Sequence, residues 1–155
     1  SRMFGDQQWE QTCGVGYGLY IWAGLSLYWI TPWLIAAHAI EVPAWWLGGA
    51  TFVFGLGVFY HFAADMQKHT SLKLKPGLFT DGVWANSRNP NYFGELLIYA
   101  SFSSLAQHWI PFAVMVLFIS IIWIPNMRKK DASLARYEAF EAYKSRSGLL
   151  FPKLF

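Results

Sequence analysis

Charged residues are scarce in this sequence: Asp, Glu, Lys and Arg make up 14% of its 155 residues, whereas about 25% is usual for a soluble domain. Hydrophobic residues make up 55% of the chain and aromatic residues 19%. Because a soluble domain of this size cannot cover so much apolar surface, the composition indicates a membrane protein. The length corresponds to a single domain, residues 1–155.

The chain has one cysteine, Cys13, which excludes an internal disulfide framework and any metal site built from several cysteines. The four histidines lack the spacing of metal ligands, so we expect no metal site. No base stands at a recognisable spacing from Cys13 or a serine, and nucleophilic catalysis therefore has no support. The net charge of +3 is not gathered in a basic stripe with interleaved aromatics, so we expect no nucleic-acid partner.

Four apolar segments are separated by polar residues, and about 20 apolar residues are enough to cross a bilayer. Further on, apolar residues recur every three positions between Arg128 and Arg146, a pattern typical of an amphipathic helix. We therefore predict an all-α integral membrane protein with four transmembrane helices and a C-terminal amphipathic helix. The four predicted spans run from Val15 to Ile40, Ala44 to Ala64, Phe93 to Trp109 and Pro111 to Pro125.

Lysine and arginine are missing from two of the turns between these segments, residues 41–43 and 107–111. All twelve lie before residue 13, between residues 65 and 90, or after Met127. Because short basic loops stay on the cytoplasmic side, this distribution predicts a multi-pass protein with both termini on the cytoplasmic, matrix or stromal side.

The segment from Ser87 to Glu95 places an arginine, two asparagines, a tyrosine and a glutamate between two apolar halves. Pro90 prevents a helix from continuing through it, so a helix can begin only after it, and the apolar run from Phe93 places Glu95 in the first turn of that helix. A carboxylate near a bilayer needs a partner, and we expect Arg88 or Arg128 to provide it. Such a segment marks either a ligand site or a structural clamp, and we favour the site.

Basic and amide side chains from two distant segments are expected to meet on one membrane face. Arginine and lysine from two segments are what a phosphate-bearing ligand requires, because charge-assisted hydrogen bonds to phosphate are strong. The same residues also serve topology and contact with anionic lipids; we favour that role for Lys129 and Lys130, and a functional role for Arg88 and Arg128. The candidate residues are Asp65, Gln67, Lys68, Arg88, Asn91, Tyr92, Glu95, Arg128, Asp131 and Tyr137.

The sequence resembles a known family through Ser87–Glu95, Arg128-x-x-Asp131, Tyr137-x-x-Phe140-x-x-Tyr143 and the Leu-Leu-Phe-Pro stretch at 149–152. This combination is similar to the C-terminal domain of the steroid 5-alpha-reductase group, above all to its bacterial and plastid-type relatives. Residues 64–68 are similar to the loop that precedes the family's third span, and sterol reductases have a similar Gln-Lys pair. The resemblance covers residues 63–155 as a reductase-like cofactor region and leaves residues 1–62 as two N-terminal spans.

The resemblance implies an NADPH-dependent oxidoreductase that reduces a conjugated double bond of a lipid or steroid-like substrate. By position, Asn91 and Glu95 match cofactor-binding residues, Arg128 a phosphate-contacting arginine and Asp65 an acidic loop contact. Tyr137 lies beside the family's later tyrosine, and Ala132 stands where animal reductases have histidine. The family's catalytic acid pair lies in an N-terminal half that this chain largely lacks, so catalytic residues stay unassigned.

Two alternatives remain open from the sequence. Isoprenylcysteine methyltransferases share the Arg-x-Pro-x-Tyr-x-Gly pattern found at 88–94 and the helical tail, and they use S-adenosylmethionine. The third interpretation is a non-catalytic, reductase-like subunit of a larger membrane complex without a cofactor, since the Gly- and Trp-rich spans suit helix packing. The expected partners are accordingly membrane lipids, an apolar lipid-like substrate and, for the third interpretation, other membrane subunits.

Overall fold

The computed structural model describes residues 14–153, apart from the side chain of Tyr20, and that part of the chain is mostly helical without strands. An isolated parallel bridge joins Ser87 to Gly148. A 3-10 turn at Leu27–Trp29 joins two helices into one longer rod, and a π-helical turn at Ile119–Trp123 joins two others into a second rod. A further 3-10 turn forms at Gly82–Trp84. The helices are α1 Val15–Ser26, α2 Ile30–Ala37, α3 Ala44–Leu74, α4 Pro90–Ser104, α5 Trp109–Phe118, α6 Ile124–Leu134 and α7 Phe140–Arg146.

Within residues 14–153, three helical rods are long and apolar enough to cross a membrane: Val15–Ala37, Ala44–Leu74 and Trp109–Leu134. The remaining predicted span corresponds to α4, which has 15 residues. At 1.5 Å per residue α4 is about 22 Å long, shorter than the hydrocarbon core of about 30 Å. The predicted membrane class is therefore supported, whereas the predicted count of four spans is not confirmed.

Helix α3 extends ten residues beyond the predicted second span, which was expected to end at Ala64. Its 31 residues give it a length of about 46 Å. The predicted loop from Asp65 is therefore wrong over its first ten residues, because Asp65, Gln67 and Lys68 are helical. The physical reason is that residues 65–74 contain neither glycine nor proline, and the helix ends just before Pro76-Gly77.

The predicted amphipathic helix at 128–146 is wrong as a single element, because a turn over residues 135–139 separates α6 from α7. The chain changes direction there, and Phe140 and Tyr143 are 1% and 2% exposed. The apolar period was therefore a correct sign of burial. The two halves of the segment nevertheless pack as separate helices.

Helices α3 and α4 form the most extensive helix contact of the fold, and they cross at two glycines. A Cβ atom on Gly57 would lie 2.8 Å from the Gly94 carbonyl oxygen. A Cβ atom on Gly94 would fall deep inside van der Waals contact of the His61 backbone nitrogen. Small residues allow helix backbones this close in a membrane, and the crossing brings His61 beside the first turns of α4.

Candidate functional site

Residues Ser87, Arg88 and Asn89 hold the C-terminal stretch against the loop that precedes α4. Ser87 and Asn89 are completely buried. The Arg88 backbone N–H donates to the Gly148 carbonyl at 2.8 Å, and Ser87 Oγ donates to the Leu150 carbonyl at 2.9 Å. The Asn89 side-chain amide donates to the Leu149 carbonyl at 2.8 Å. We call this assembly of residues 84–89, 143–150 and Asp131 the clamp.

The Arg88 guanidinium is the charged centre of the clamp and has protein partners on several sides. Its Nε lies 3.0 and 3.2 Å from the two carboxylate oxygens of Asp131. Its Nη1 donates to the carbonyl oxygens of Ser147 at 2.6 Å and Lys144 at 3.2 Å. A buried charge is tolerated when it is paired and hydrogen-bonded. The fold therefore uses both Arg88 and Asp131, which the sequence placed in the cofactor region.

Two aromatic residues of the clamp, Tyr143 and Trp84, donate hydrogen bonds to backbone carbonyl oxygens. The Tyr143 hydroxyl donates to the carbonyl oxygens of Trp84 at 2.7 Å and Ser87 at 3.2 Å. Burial raises the pKa of Tyr143 to about 12, so the hydroxyl keeps its proton at neutral pH. The Trp84 indole N–H in turn donates to the Ala64 carbonyl at 3.0 Å, which ties the clamp to α3.

Lys130 is a residue that sequence reasoning missed, because it was assigned to topology and lipid contact. Its Nζ donates to the Arg88 carbonyl at 2.7 Å and to Asn89 Oδ1 at 2.9 Å, and it lies 4.4 Å from the centre of the Trp84 ring. A signal was present in the sequence. Lys130 follows the buried Met127 by three positions, which places both on one face of α6.

A second group of polar residues lies at the crossing of α3 and α4 and consists of His61, Asp65, Asn91 and Glu95. Each helix contributes two residues four positions apart, which places them on one helix face. His61 Nδ1 is 3.6 Å from Glu95 Oε1, and His61 Nε2 is 3.9 Å from Asp65 Oδ2. We call this group the polar cluster. The sequence predicted Asp65, Asn91 and Glu95 as site residues, and the structure brings all three together.

The expected partner of Glu95 was wrong: its ionisable neighbour is His61, whereas Arg88 pairs with Asp131. The reason is geometric. Helix α4 begins at Pro90, so Glu95 lies in the second turn rather than the first and faces α3. His61 was retained in the sequence analysis only as a lone helix histidine, since nothing in the sequence shows that two glycines bring it to Glu95.

Two polar atoms of the polar cluster lack a partner within the described part of the chain. His61 Nδ1 and Asn91 Oδ1 are both buried without a hydrogen bond. A buried polar atom without a hydrogen bond costs about 1–3 kcal/mol, and such atoms in a folded protein call for an explanation. A ligand that hydrogen-bonds to both atoms would recover that free energy.

The other predicted site residues have varied surroundings. Gln67 Oε1 accepts a hydrogen bond from the Val83 backbone at 3.1 Å, which is a structural role. Lys68 is exposed, with its Nζ 5.6 Å from the Trp84 ring, and the Tyr92 ring packs against Trp123 at 5.2 Å. Arg128 is exposed on α6 and makes no ion pair with a described residue, and the Tyr137 hydroxyl accepts from Arg136 at 3.3 Å.

The donor set of the polar cluster fits a nucleotide better than a metal ion. Residues 14–153 contain no group of three or more His, Cys, Asp or Glu side chains able to hold a metal. An amide, an imidazole and two carboxylates are the groups that bind riboses and carboxamides. Lys68 lies three positions beyond Asp65 on α3, so a cation for a phosphate lies close by.

A family model described as "Protein of unknown function (DUF1295)" matches residues 6–147. The chain belongs to the DUF1295 family. This family is associated with steroid 5-alpha-reductase-like proteins, which confirms the resemblance at that level. The DUF1295 match includes the entire polar cluster and the clamp as far as Ser147. No curated protein and no solved structure matches the chain.

Proposed function

We propose that this protein is a membrane-embedded, NADPH-dependent reductase of a conjugated double bond in an apolar, lipid-like substrate. The observation that carries the proposal is the pair of buried atoms in the polar cluster, His61 Nδ1 and Asn91 Oδ1, that have no hydrogen-bond partner among the described residues. They lie beside two carboxylates in a chain otherwise built from apolar helices. Polar groups at such a position are costly and mark functional sites in membrane proteins.

Three residues of the polar cluster have a defined part in this proposal. The Asn91 side chain orients the nicotinamide end or a ribose by hydrogen bonds, and Asp65 and Glu95 accept hydrogen bonds from ribose hydroxyls or the carboxamide. Lys68 and Arg128 contribute positive charge toward the phosphates. NADPH, when bound, supplies the hydride.

Titration of the purified protein in detergent with NADPH tests the proposal, and the nine tryptophans provide a fluorescence signal. We expect saturable binding that Asn91→Leu weakens about twofold to tenfold, since a hydrogen bond between uncharged groups is worth about 0.5–1.5 kcal/mol. Lys153→Ala, outside the polar cluster, serves as the matched control and should leave the affinity unchanged.

The result that contradicts the proposal is the absence of saturable NADPH binding up to millimolar concentration. A parallel titration with S-adenosylmethionine separates the methyltransferase alternative. If S-adenosylmethionine binds and Asn91→Leu abolishes that binding, the same site serves methyl transfer.

The clamp favours a second candidate, a non-catalytic subunit of a membrane complex. Arg88 and Asp131 match the cofactor region of reductases, yet here they bind each other and the C-terminal stretch. A retained fold without a cofactor would keep these residues for stability alone. This candidate predicts that neither nucleotide binds and that Asn91→Leu changes nothing except assembly with partner chains.

A further inference from the structure

An apolar groove of about 520 Å³ runs between the first and the last of the three long rods. Pockets that bind small molecules span about 300–1,000 Å³. Gly24 keeps the groove open, because a Cβ atom there would already lie 3.6 Å from the Phe118 ring and a longer side chain would fill the space. Its lining residues are Ile21, Ala23, Gly24, Leu25, Leu27, Tyr28, Tyr99, Leu117, Phe118, Ile121 and Ile122.

Two hydroxyl groups are the polar side-chain groups among these lining residues, and they belong to Tyr28 and Tyr99. The two rings are stacked at 4.8 Å, and Tyr28 also stacks against Phe118 at 5.3 Å. The two hydroxyl groups interact with each other. A pair of rigid rings therefore presents hydroxyls in an otherwise apolar wall, the arrangement by which ligand pockets orient a mostly apolar molecule.

The groove and the polar cluster meet at Glu95. Tyr99 follows Glu95 by four positions on α4, so both lie on the same helix face. A molecule with its oxygen at the tyrosine pair would thus lie next to the residues that we propose to hold the cofactor.

We propose that this groove binds the substrate, an apolar molecule with a single hydrogen-bond-accepting oxygen, and that the tyrosine pair positions that oxygen. The inference rests on the proposed function for the nature of the reaction, but the binding itself does not require NADPH. No cationic side chain lines the groove, so a phosphate-bearing lipid would leave its charge without a partner there. The occupant is therefore an uncharged molecule such as a long-chain ketone.

The test uses the whole 155-residue chain in detergent without NADPH and two probes of matched length, octadec-3-en-2-one and octadecane. Trp123 lies 6.2 Å from the Tyr99 ring, so its fluorescence reports binding in the groove. We expect the ketone to bind more tightly than the hydrocarbon. Tyr28→Phe and Tyr99→Phe, which keep the stacked rings, should each weaken ketone binding about twofold to tenfold and leave octadecane binding unchanged.

Tyr60→Phe is the matched control, because Tyr60 lies on α3 outside the groove and its ring packs against Phe93. Gly24→Leu should weaken the binding of both probes by filling the groove. The proposal is overturned if the double variant Tyr28→Phe/Tyr99→Phe binds the ketone as wild type does, if Gly24→Leu has no effect, or if dioleoylphosphatidylcholine displaces the ketone at equal concentration. If the ketone binds in a tyrosine-dependent way but NADPH does not bind, the proposed binding groove is supported and the proposed reductase function is refuted.

Discussion

Asn89 and Asn91 stand two positions apart in one motif, yet they belong to two regions with opposite properties. In the clamp, the Asn89 side chain donates to the Leu149 carbonyl and accepts from Lys130. In the polar cluster, Asn91 Oδ1 is buried without a partner in the described chain. The side chain of Asn89 in the clamp has its hydrogen-bond partners within the protein, whereas the polar cluster has a buried acceptor that is available to a ligand.

This contrast separates stability from ligand binding within a single motif. Pro90 begins α4 between the two asparagines, so Asn89 faces the C-terminal stretch and Asn91 faces α3. Polar residues that satisfy one another stabilise a fold, and polar residues that remain unsatisfied cost free energy until something binds. Substitutions on the two sides of Pro90 should therefore have different effects, and the four predictions below are ordered by the largest effect expected in each.

Arg88→Met should destabilise the protein most, by about 3–5 kcal/mol, because it leaves the Asp131 carboxylate without its buried partner. Thermal unfolding in detergent measures the loss. The double variant Arg88→Met/Asp131→Leu is the control and should recover much of it, since replacing both members of a buried pair is often near neutral. An unchanged melting temperature in Arg88→Met would mean that the clamp does not hold the fold together.

Gly94→Ala should cost about 1–3 kcal/mol, since the added methyl group meets the α3 backbone at the helix crossing. The same substitution at Gly55 is the matched control. A Cβ atom on Gly55 meets nothing within 4 Å, and alanine is the better helix former by about 1 kcal/mol. Equal melting temperatures for the two variants would show that α3 and α4 do not approach as closely as described.

Asn89→Leu and Asn91→Leu compare the two regions directly. Asn89→Leu removes two satisfied hydrogen bonds and should cost about 1–3 kcal/mol, whereas Asn91→Leu removes an unsatisfied acceptor and should be near neutral. Thermal unfolding without ligand and NADPH titration are measured on both proteins. If the two variants are destabilised by a similar amount, the claim that the clamp stabilises the fold and the polar cluster does not is wrong.

Glu95→Gln should change stability little, by about 0–1 kcal/mol, because its His61 contact at 3.6 Å is partly exposed and Asp65 repels the carboxylate. Its expected effect is on NADPH affinity instead. The melting temperature of Glu95→Gln is compared with that of Arg88→Met in the same detergent. A loss as large as that of Arg88→Met would place Glu95 among the structural residues.

The sequence was informative where one physical cue dominated. Helix α4 was expected to begin after Pro90, and it begins at Pro90 itself, because proline is tolerated in the first turn of a helix but not in its interior. The burial of Phe140 and Tyr143 follows from their apolar spacing. The grouping of Asp65, Asn91 and Glu95 was expected from the resemblance rather than from the spacing of residues.

The remaining features depend on contacts between distant segments, which composition does not reveal. Arg88 could pair with any of several carboxylates, and its selection of Asp131 depends on where α6 packs. The contact of His61 with Glu95 depends on two glycines that are 37 positions apart in the chain and touch only after folding. The length of α3 was underestimated because polar residues were equated with a loop, although helix propensity continues through them.

The clamp also constrains the order in which the protein can mature during synthesis. Arg88 and the Ser147 carbonyl that receives its hydrogen bond are 59 positions apart, so a ribosome adding about 5–20 residues per second produces the second several seconds after the first. Until then the Arg88 guanidinium can hydrogen-bond to water or lipid headgroups but not to Ser147, although the apolar helices before it have already been synthesised. The membrane-inserted nascent chain therefore carries polar groups without protein partners until residues 147–150 are made, and a fusion that impedes residues 147–153 would arrest the protein at that stage.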